Sequence, residues 1–347
     1  MAPTSPDISV VICTYTEARW HDLVAAVHSV HGQSVQPQDV IVVVDHNPTL
    51  LERVHAEVPY VIAVENQEAK GLSGARNSGI AAATGAVIAF LDDDGVAAPD
   101  WLEQLLRAYA NLEVIGVGGT VEPLWIGGRP LWFPAEFDWV VGCTYRGLPE
   151  VAAPVRNLIG CNMSFRRGVF EGVGGFRSGI GRVGTYPIGC EETELCIRVG
   201  RRWPSKALLY EPRARVQHRV TARRARWDYF RSRCYAEGLS KALVAQAVGA
   251  GDGLASERTY TLRTLPRAVV RGFADSLRGD PSALPRAGAI VAGLALTTAG
   301  YLMGTVAEPR ATLPKADNEA GTSAQGPVPS TARQPLRSRT TSLRGTA

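Results

Sequence analysis

Four short apolar runs, separated by stretches of helical character, constrain this chain more than any other feature. Residues 8–13, 40–44, 60–64 and 86–91 are almost uninterrupted in their apolarity. Strands buried on both faces read this way, because neither face meets water. Between them, Leu23, Val24, Val27 and Val30 recur at helical spacing, and residues 73–84 are small and helix-compatible, with Gly85 ending the segment. Pro99 opens a further helix over residues 100–111, and residues 114–117 begin another strand. Strands alternating with helices predict an α/β fold with a mostly parallel central sheet flanked by helices. Such sheets bind ligands at the carboxyl ends of their strands. Thr14, Tyr15 and Glu17, then Asp45, then Asp92, Asp93 and Asp94 stand at three of those ends.

The fourth run drives straight into Asp92-Asp93-Asp94. Adjacent carboxylates repel one another unless a cation relieves them. Hard oxygen ligands suit Mg²⁺ or Mn²⁺, and those ions suit a diphosphate. A solvated acidic turn capping the next helix is the competing reading. The flanking strand and the polar groups at the other strand ends favour the metal.

Composition narrows the partners. The chain has 347 residues, 45% of them hydrophobic, enough for a sizeable core. The net charge is only +4, but residues 195–286 hold 19 Lys/Arg against 7 Asp/Glu. That imbalance points to an anionic surface or ligand. The arginines form no compact reader motif, which argues against nucleic acid. Six cysteines without CxxC spacing read as reduced, buried thiols in a cytosolic setting. The first residues show no basic region followed by an apolar core, so no signal peptide is expected.

Residues 287–306 carry no charge and are flanked by Arg286 and Glu308. The length suffices for a membrane span, but the segment is rich in Gly, Ala and Thr. A span and a membrane-associated or buried helix both stay open. Upstream Arg263, Arg267, Arg271, Arg278 and Arg286 would keep its leading side in the cytosol. The expected organisation is a catalytic domain over 1–222, a basic helical extension over 223–286, the apolar helix at 287–306 and a disordered tail at 307–347.

Five pieces in order resemble the family 2 glycosyltransferases, which have the glycosyltransferase-A fold. They are Val10-Val11-Ile12-Cys13-Thr14-Tyr15, Val42-Val43-Val44-Asp45, the segment Gly71-Leu72-Ser73-Gly74-Ala75-Arg76-Asn77-Ser78-Gly79, Phe90-Leu91-Asp92-Asp93-Asp94, and Gly189 through Arg198 with its Glu191-Glu192 pair. They span roughly residues 8–220. The resemblance implies a nucleoside-diphosphate sugar donor, UDP- or GDP-linked, and an inverting transfer that requires Mn²⁺ or Mg²⁺.

It also implies roles. Thr14, Tyr15 and Glu17 would contact the nucleoside, Asp45 the base, and Arg76 the nucleotide's border. Asp94 would ligate the metal, with Asp92 or Asp93 on ribose or sugar hydroxyls, Asp92 also being a candidate ligand. His218 would complete the metal site. Glu192 would be the catalytic base, in a position where the family commonly has Asp; Glu191 and Glu194 are alternates. Asn162 would be an acceptor-side contact. Residues 223–227 loosely match an acceptor-side Arg/Gln-x-x-Arg-Trp pattern. The basic extension and the apolar helix hint at a lipid-linked acceptor, such as a polyprenyl-phosphate-linked saccharide, at the cytoplasmic face of a membrane. A soluble saccharide or secondary-metabolite acceptor is the alternative. A nucleotidyltransferase would place a Gly-rich basic loop after the first strand, where this chain has Thr14-Tyr15-Thr16-Glu17. A non-catalytic carbohydrate-binding relative would lack one of the acidic clusters.

Overall fold

The computed structural model describes residues 7–178, 189–248 and 259–306. The tail expected at 307–347 lies outside them. Nine strands form one sheet: β1 (Ile8–Thr14), β2 (Asp39–Val44), β3 (Ile62–Glu65), β4 (Val87–Asp92), β5 (Gly95–Ala97), β6 (Val114–Trp125), β7 (Ala153–Pro154), β8 (Asn162–Arg166) and β9 (Ala207–Val220). Their order is β3-β2-β1-β4-β8-β6-β9-β5, with β7 also on β9. The first four are parallel. β8 runs antiparallel between β4 and β6, and β6 runs parallel to β9. The described helices are α1 (Trp20–His31), α2 (Pro48–Glu57), α3 (Leu72–Ala82), α4 (Trp101–Ala108), α5 (Arg167–Val173), α6 (Glu191–Arg202), α7 (Trp227–Val248), α8 (Leu265–Leu277) and α9 (Ala283–Val306).

Local chemistry accounts for the boundaries. Asn47 caps α2 by accepting from the Leu50 amide, and Pro48 takes the first helical position. On α4, Trp101, Leu102, Leu105 and Leu106 turn one apolar face to the sheet and are buried. α3 lies so close to the sheet that a Cβ on Gly79 would meet Val11 at 2.3 Å. That approach delivers Arg76, on the same helix, to the ends of β1 and β4.

β9 alternates buried Ala214, Val216, His218 and Val220 with exposed Arg213, Arg215, Gln217 and Arg219. This is the period-two pattern of a strand with one face in water. The strand expected to begin at residues 114–117 runs on to Trp125, because β9 pairs with it along most of its length. Among residues 156–166 the strand begins only at Asn162.

The stretch after β6 contributes core. Phe133 and Phe137 are buried there together with Phe230 of α7 and Ile290 of α9. A 3-10 helix, Ala135–Val141, holds Phe137 in place. α7 and α9 then pack backbone to backbone. A Cβ on Gly238 would meet the Thr297 carbonyl oxygen at 2.1 Å, and one on Gly300 would meet that of Tyr235 at 2.1 Å. The helical extension therefore packs onto the same core as the sheet.

Candidate active site

The carboxyl ends of β1, β2 and β4 bring the polar groups together. The Asp45 amide donates to the Thr14 carbonyl, which joins the first two strand ends. The Asp45 carboxylate accepts from Asn66 Nδ2 at 2.7 Å and from the Gly71 amide at 3.0 Å. Gly71 has φ +128°, a left-handed backbone that a side chain would strain, and it starts α3. Tyr15 and Glu17 are exposed on the rim, with Glu17 accepting from Asn47.

The three aspartates diverge instead of facing one another. Asp92 is one-third exposed and lies 3.6 Å from Arg76. Asp93 is buried and accepts from Thr14 Oγ1 at 2.9 Å and from Arg19 Nη1 at 2.7 Å. Burial pushes its carboxyl up to about 6, with Arg19 pulling against that and Asp94 adding to it. Asp94 is buried among His218 at 3.0 Å, Arg224 at 3.3 Å and Arg19 at 3.3 Å. Burial alone would raise its carboxyl; His218, Arg224 and Arg19 outweigh that and hold it well below the usual carboxylate range. The repulsion expected of three adjacent acids is thus relieved in part by side-chain cations.

Asp94 Oδ1 is buried without a hydrogen bond, although it faces His218 Nε2. Asp92, Cys161 and His218 present ligand atoms within 4.8 Å of one another. Carboxylate oxygens with an imidazole nitrogen suit Mn²⁺ or a similar ion; the Cys161 thiol, held far above its ordinary range by burial, suits it less. Asp92 and His218 are the members of that set that fit a metal, and Asp94 Oδ1 adjoins them at His218.

The second acidic cluster opens α6, where the helix dipole favours carboxylates. Its members are in three different states. Glu191 is buried against Arg76 at 2.8 Å. Glu194 has no exposed side-chain surface and is clasped by Arg198 at 2.8 Å and Arg177 at 3.1 Å. Glu192 lines a cavity of about 450 Å³ that also takes in Asp92, Arg76 and Glu191. Burial pushes its carboxyl up to about 8; Glu191 adds to the shift and Arg76 opposes it. The far wall of the cavity comes from Tyr260, Leu294, Thr297 and Tyr301 of the helical extension.

Asn162, expected at the acceptor, is instead structural. It is fully buried, accepts from Trp101 Nε1, and donates to the Thr120 and Ala214 carbonyls. In the Arg-rich stretch at 223–227, Arg224 is the residue that reaches the acids, while Arg226 pairs with Asp228 and Trp227 stacks on Phe230. Arg19 is the cation that sequence reasoning missed; Arg224 stands in the 223–227 stretch singled out for the acceptor side and is found against Asp94. Arg19 lies only four residues past Tyr15, so the strand-end logic that selected Tyr15 could have reached it.

A nucleotide-sugar type of sheet, ending in carboxylates beside a cavity lined by Asp92, Glu191 and Glu192, defines a glycosyltransferase-A enzyme. The model of glycosyl transferase family 2 matches residues 9–174. A glucosyl-dolichyl phosphate glucuronosyltransferase of Haloferax volcanii is 38% identical over 238 residues, 67% of this chain and 76% of that one. A succinoglycan biosynthesis protein, ExoM, of Rhizobium meliloti is 26% identical over 240 residues, 67% of this chain and 72% of its own. A mannosyltransferase of Pyrobaculum calidifontis, solved with GDP-Man and Mn²⁺, superimposes with a TM-score of 0.52 at 15% identity, over 85% of this chain and 88% of that chain, and shares the fold. The chain belongs to the family 2 glycosyltransferases.

Proposed function

We propose that this glycosyltransferase transfers a sugar, with inversion, from a nucleoside-diphosphate sugar to a lipid-linked acceptor at the cytoplasmic face of a membrane. One observation carries the reading: the Glu192 carboxyl shares its cavity with Asp92 and Arg76, so a base and a diphosphate-binding edge meet in one space. The similarity to a dolichyl-phosphate-linked glucuronosyltransferase supports the acceptor class.

Each role follows from placement. Asp45, oriented by Asn66 and Gly71, presents a carboxylate that accepts an N–H of the base. Thr14, Tyr15 and Glu17 border the nucleoside. Arg76 is held by Glu191 and faces Asp92, where it can meet the developing charge of the leaving diphosphate. Asp94, Asp92 and His218 would hold Mn²⁺ or Mg²⁺; when bound, the ion neutralises the diphosphate oxygens. Glu192 takes the proton of the acceptor hydroxyl as that oxygen attacks the anomeric carbon from the side opposite the leaving group. One base and one displacement invert the anomeric centre. Its raised affinity for a proton suits a base working near neutral pH.

The test is a panel of nucleotide sugars scored for nucleoside diphosphate release, with Mn²⁺ or chelator, and with a polyprenyl-phosphate-linked saccharide or a soluble sugar as acceptor. Release that needs both the metal and the lipid-linked acceptor supports the reading. Equal release with soluble sugars, or with chelator present, contradicts it.

A further inference from the structure

We infer that α8 and the outer face of α9 form a docking surface for an anionic lipid bilayer, lying in its plane, so that the chain sits on the membrane without crossing it. The surface is argued from the geometry of these helices alone; only its link to acceptor entry rests on the lipid-linked reading above.

At about 100° per residue, Pro266, Val270, Phe273 and Leu277 fall within a sector of roughly 60° on α8. All four are exposed, Val270 at 69% and Leu277 at 91%. Arg267, Arg271 and Arg278, also exposed, occupy the neighbouring sector. The third side faces the protein: Leu265 and Ala268 are buried, and a Cβ on Gly272 would meet that of Ala287 at 2.9 Å. Water would favour polar side chains where Val270, Phe273 and Leu277 stand. Leu262 and Arg263, both exposed, extend the apolar and basic rows one turn back.

α9 continues the apolar surface. Leu284, Val291, Leu302, Met303 and Val306 are exposed, and no charge occurs from 287 to 306. Only 28% of its apolar window is buried in the protein. Its opposite side is locked against α7 through Gly238, Gly300 and Gly304. α7 carries Arg231, Arg233, Glu237 and Lys241. A crossing α9 would take α7 and these charges into the hydrocarbon, at a penalty for each. An in-plane position costs neither helix its packing.

The chemistry of the partner follows from the two rows. Apolar side chains beside a line of arginines match the acyl boundary and negative headgroups of an anionic leaflet. Thr298 of α9 is exposed beside this surface and lines the active-site cavity as well. A lipid-linked acceptor could thus reach Glu192 with its chain still in the bilayer.

Purified full-length protein should be mixed with phosphatidylcholine vesicles, with and without phosphatidylglycerol, and co-sedimented. The expected result is binding at least about tenfold tighter to the anionic vesicles, weakened by salt. A Val270→Glu/Phe273→Glu/Leu277→Glu variant should lose at least about tenfold of that binding. An Arg263→Gln/Arg267→Gln variant should lose about 30-fold on anionic vesicles and little on neutral ones. Unchanged thermal midpoints, and unchanged donor hydrolysis without acceptor, would show that these variants are folded and the cleft intact. Absence of vesicle binding by the natural chain, or equal binding by the triple-glutamate variant, overturns the proposal. So does a triple-glutamate variant that leaves cell membranes only in detergent, since that would mean α9 spans. So does a stable lipid-free dimer whose interface covers Val270 and Phe273.

Discussion

After β4, Asp94 is buried among two arginines and a histidine and stays ionised; at the start of α6, Glu192 borders a cavity beside another carboxylate and is pushed toward its neutral form. Both are acids at the carboxyl-end side of the sheet, and their surroundings drive them in opposite directions. Asp94 is held ionised by the two arginines and the histidine around it. Glu192 is desolvated and repelled by Glu191, which gives it the affinity for a proton that a base requires. Glu191 and Glu194, next to it on the same helix, are each tied to an arginine and hold structure. Environment, more than residue type, separates the binder, the base and the scaffold.

The sharpest way to break this contrast is Glu192→Gln. It removes the base but leaves every ion pair described above in place. Turnover should fall by about 10²–10⁴-fold in steady-state release of nucleoside diphosphate. A loss of only a few-fold would move the base to another residue. Next in size is Glu194→Gln, which leaves Arg198 and Arg177 without their carboxylate in a buried site. It should destabilise the fold by about 3–5 kcal/mol in denaturant unfolding, while the folded fraction keeps its turnover. If Glu194→Gln abolished turnover without lowering stability, scaffold and base would have been assigned the wrong way round.

The pH response is a smaller effect and separates the two clusters again. With Glu192 titrating at about 8, kcat/KM should rise roughly tenfold per pH unit below that value and then level off. Stability should move the other way. The folded state binds this proton more tightly than the unfolded chain, whose carboxyl titrates near 4.5, so the group's contribution to stability declines as pH rises from about 4.5 to about 8. Glu192→Gln should flatten both trends. Urea unfolding at several pH values, run beside rate profiles, would measure them together. The smallest expected effect is Asn162→Ala, which should lower stability but leave acceptor KM unchanged, because its amide bonds only within the protein.

The parallel half of the fold was legible because β1, β2 and β4 are buried on both faces, and two-sided burial leaves uninterrupted apolar runs. The far half was less legible. β6 continues through Glu122 and Pro123, which interrupt its apolar run, and only pairing with β9 keeps it extended. β9 did carry a local signal, the alternation ending at Val220, but its arginine-rich outer face obscured it. At the site, Asp45, Arg76, Asp92, Asp94, Glu192 and His218 could be singled out in the sequence because strand ends and family pieces mark them. Three adjacent acids look equivalent in sequence, whereas in the structure Asp93 turns inward to Thr14 and Arg19. Arg19 was missed, and the pairing of Arg224 with Asp94 was not foreseen, because an ion pair between residues 75 or 130 positions apart leaves no periodic trace.

Titration calorimetry of a nucleoside diphosphate with Mn²⁺, on Asp94→Asn and Glu192→Gln side by side, is the most direct measurement. The account predicts that Asp94→Asn loses metal-dependent binding, while Glu192→Gln binds within about threefold of the natural chain and yet fails to turn over. Metal-dependent binding that survives intact in Asp94→Asn, or that falls in Glu192→Gln as far as its rate does, would contradict it.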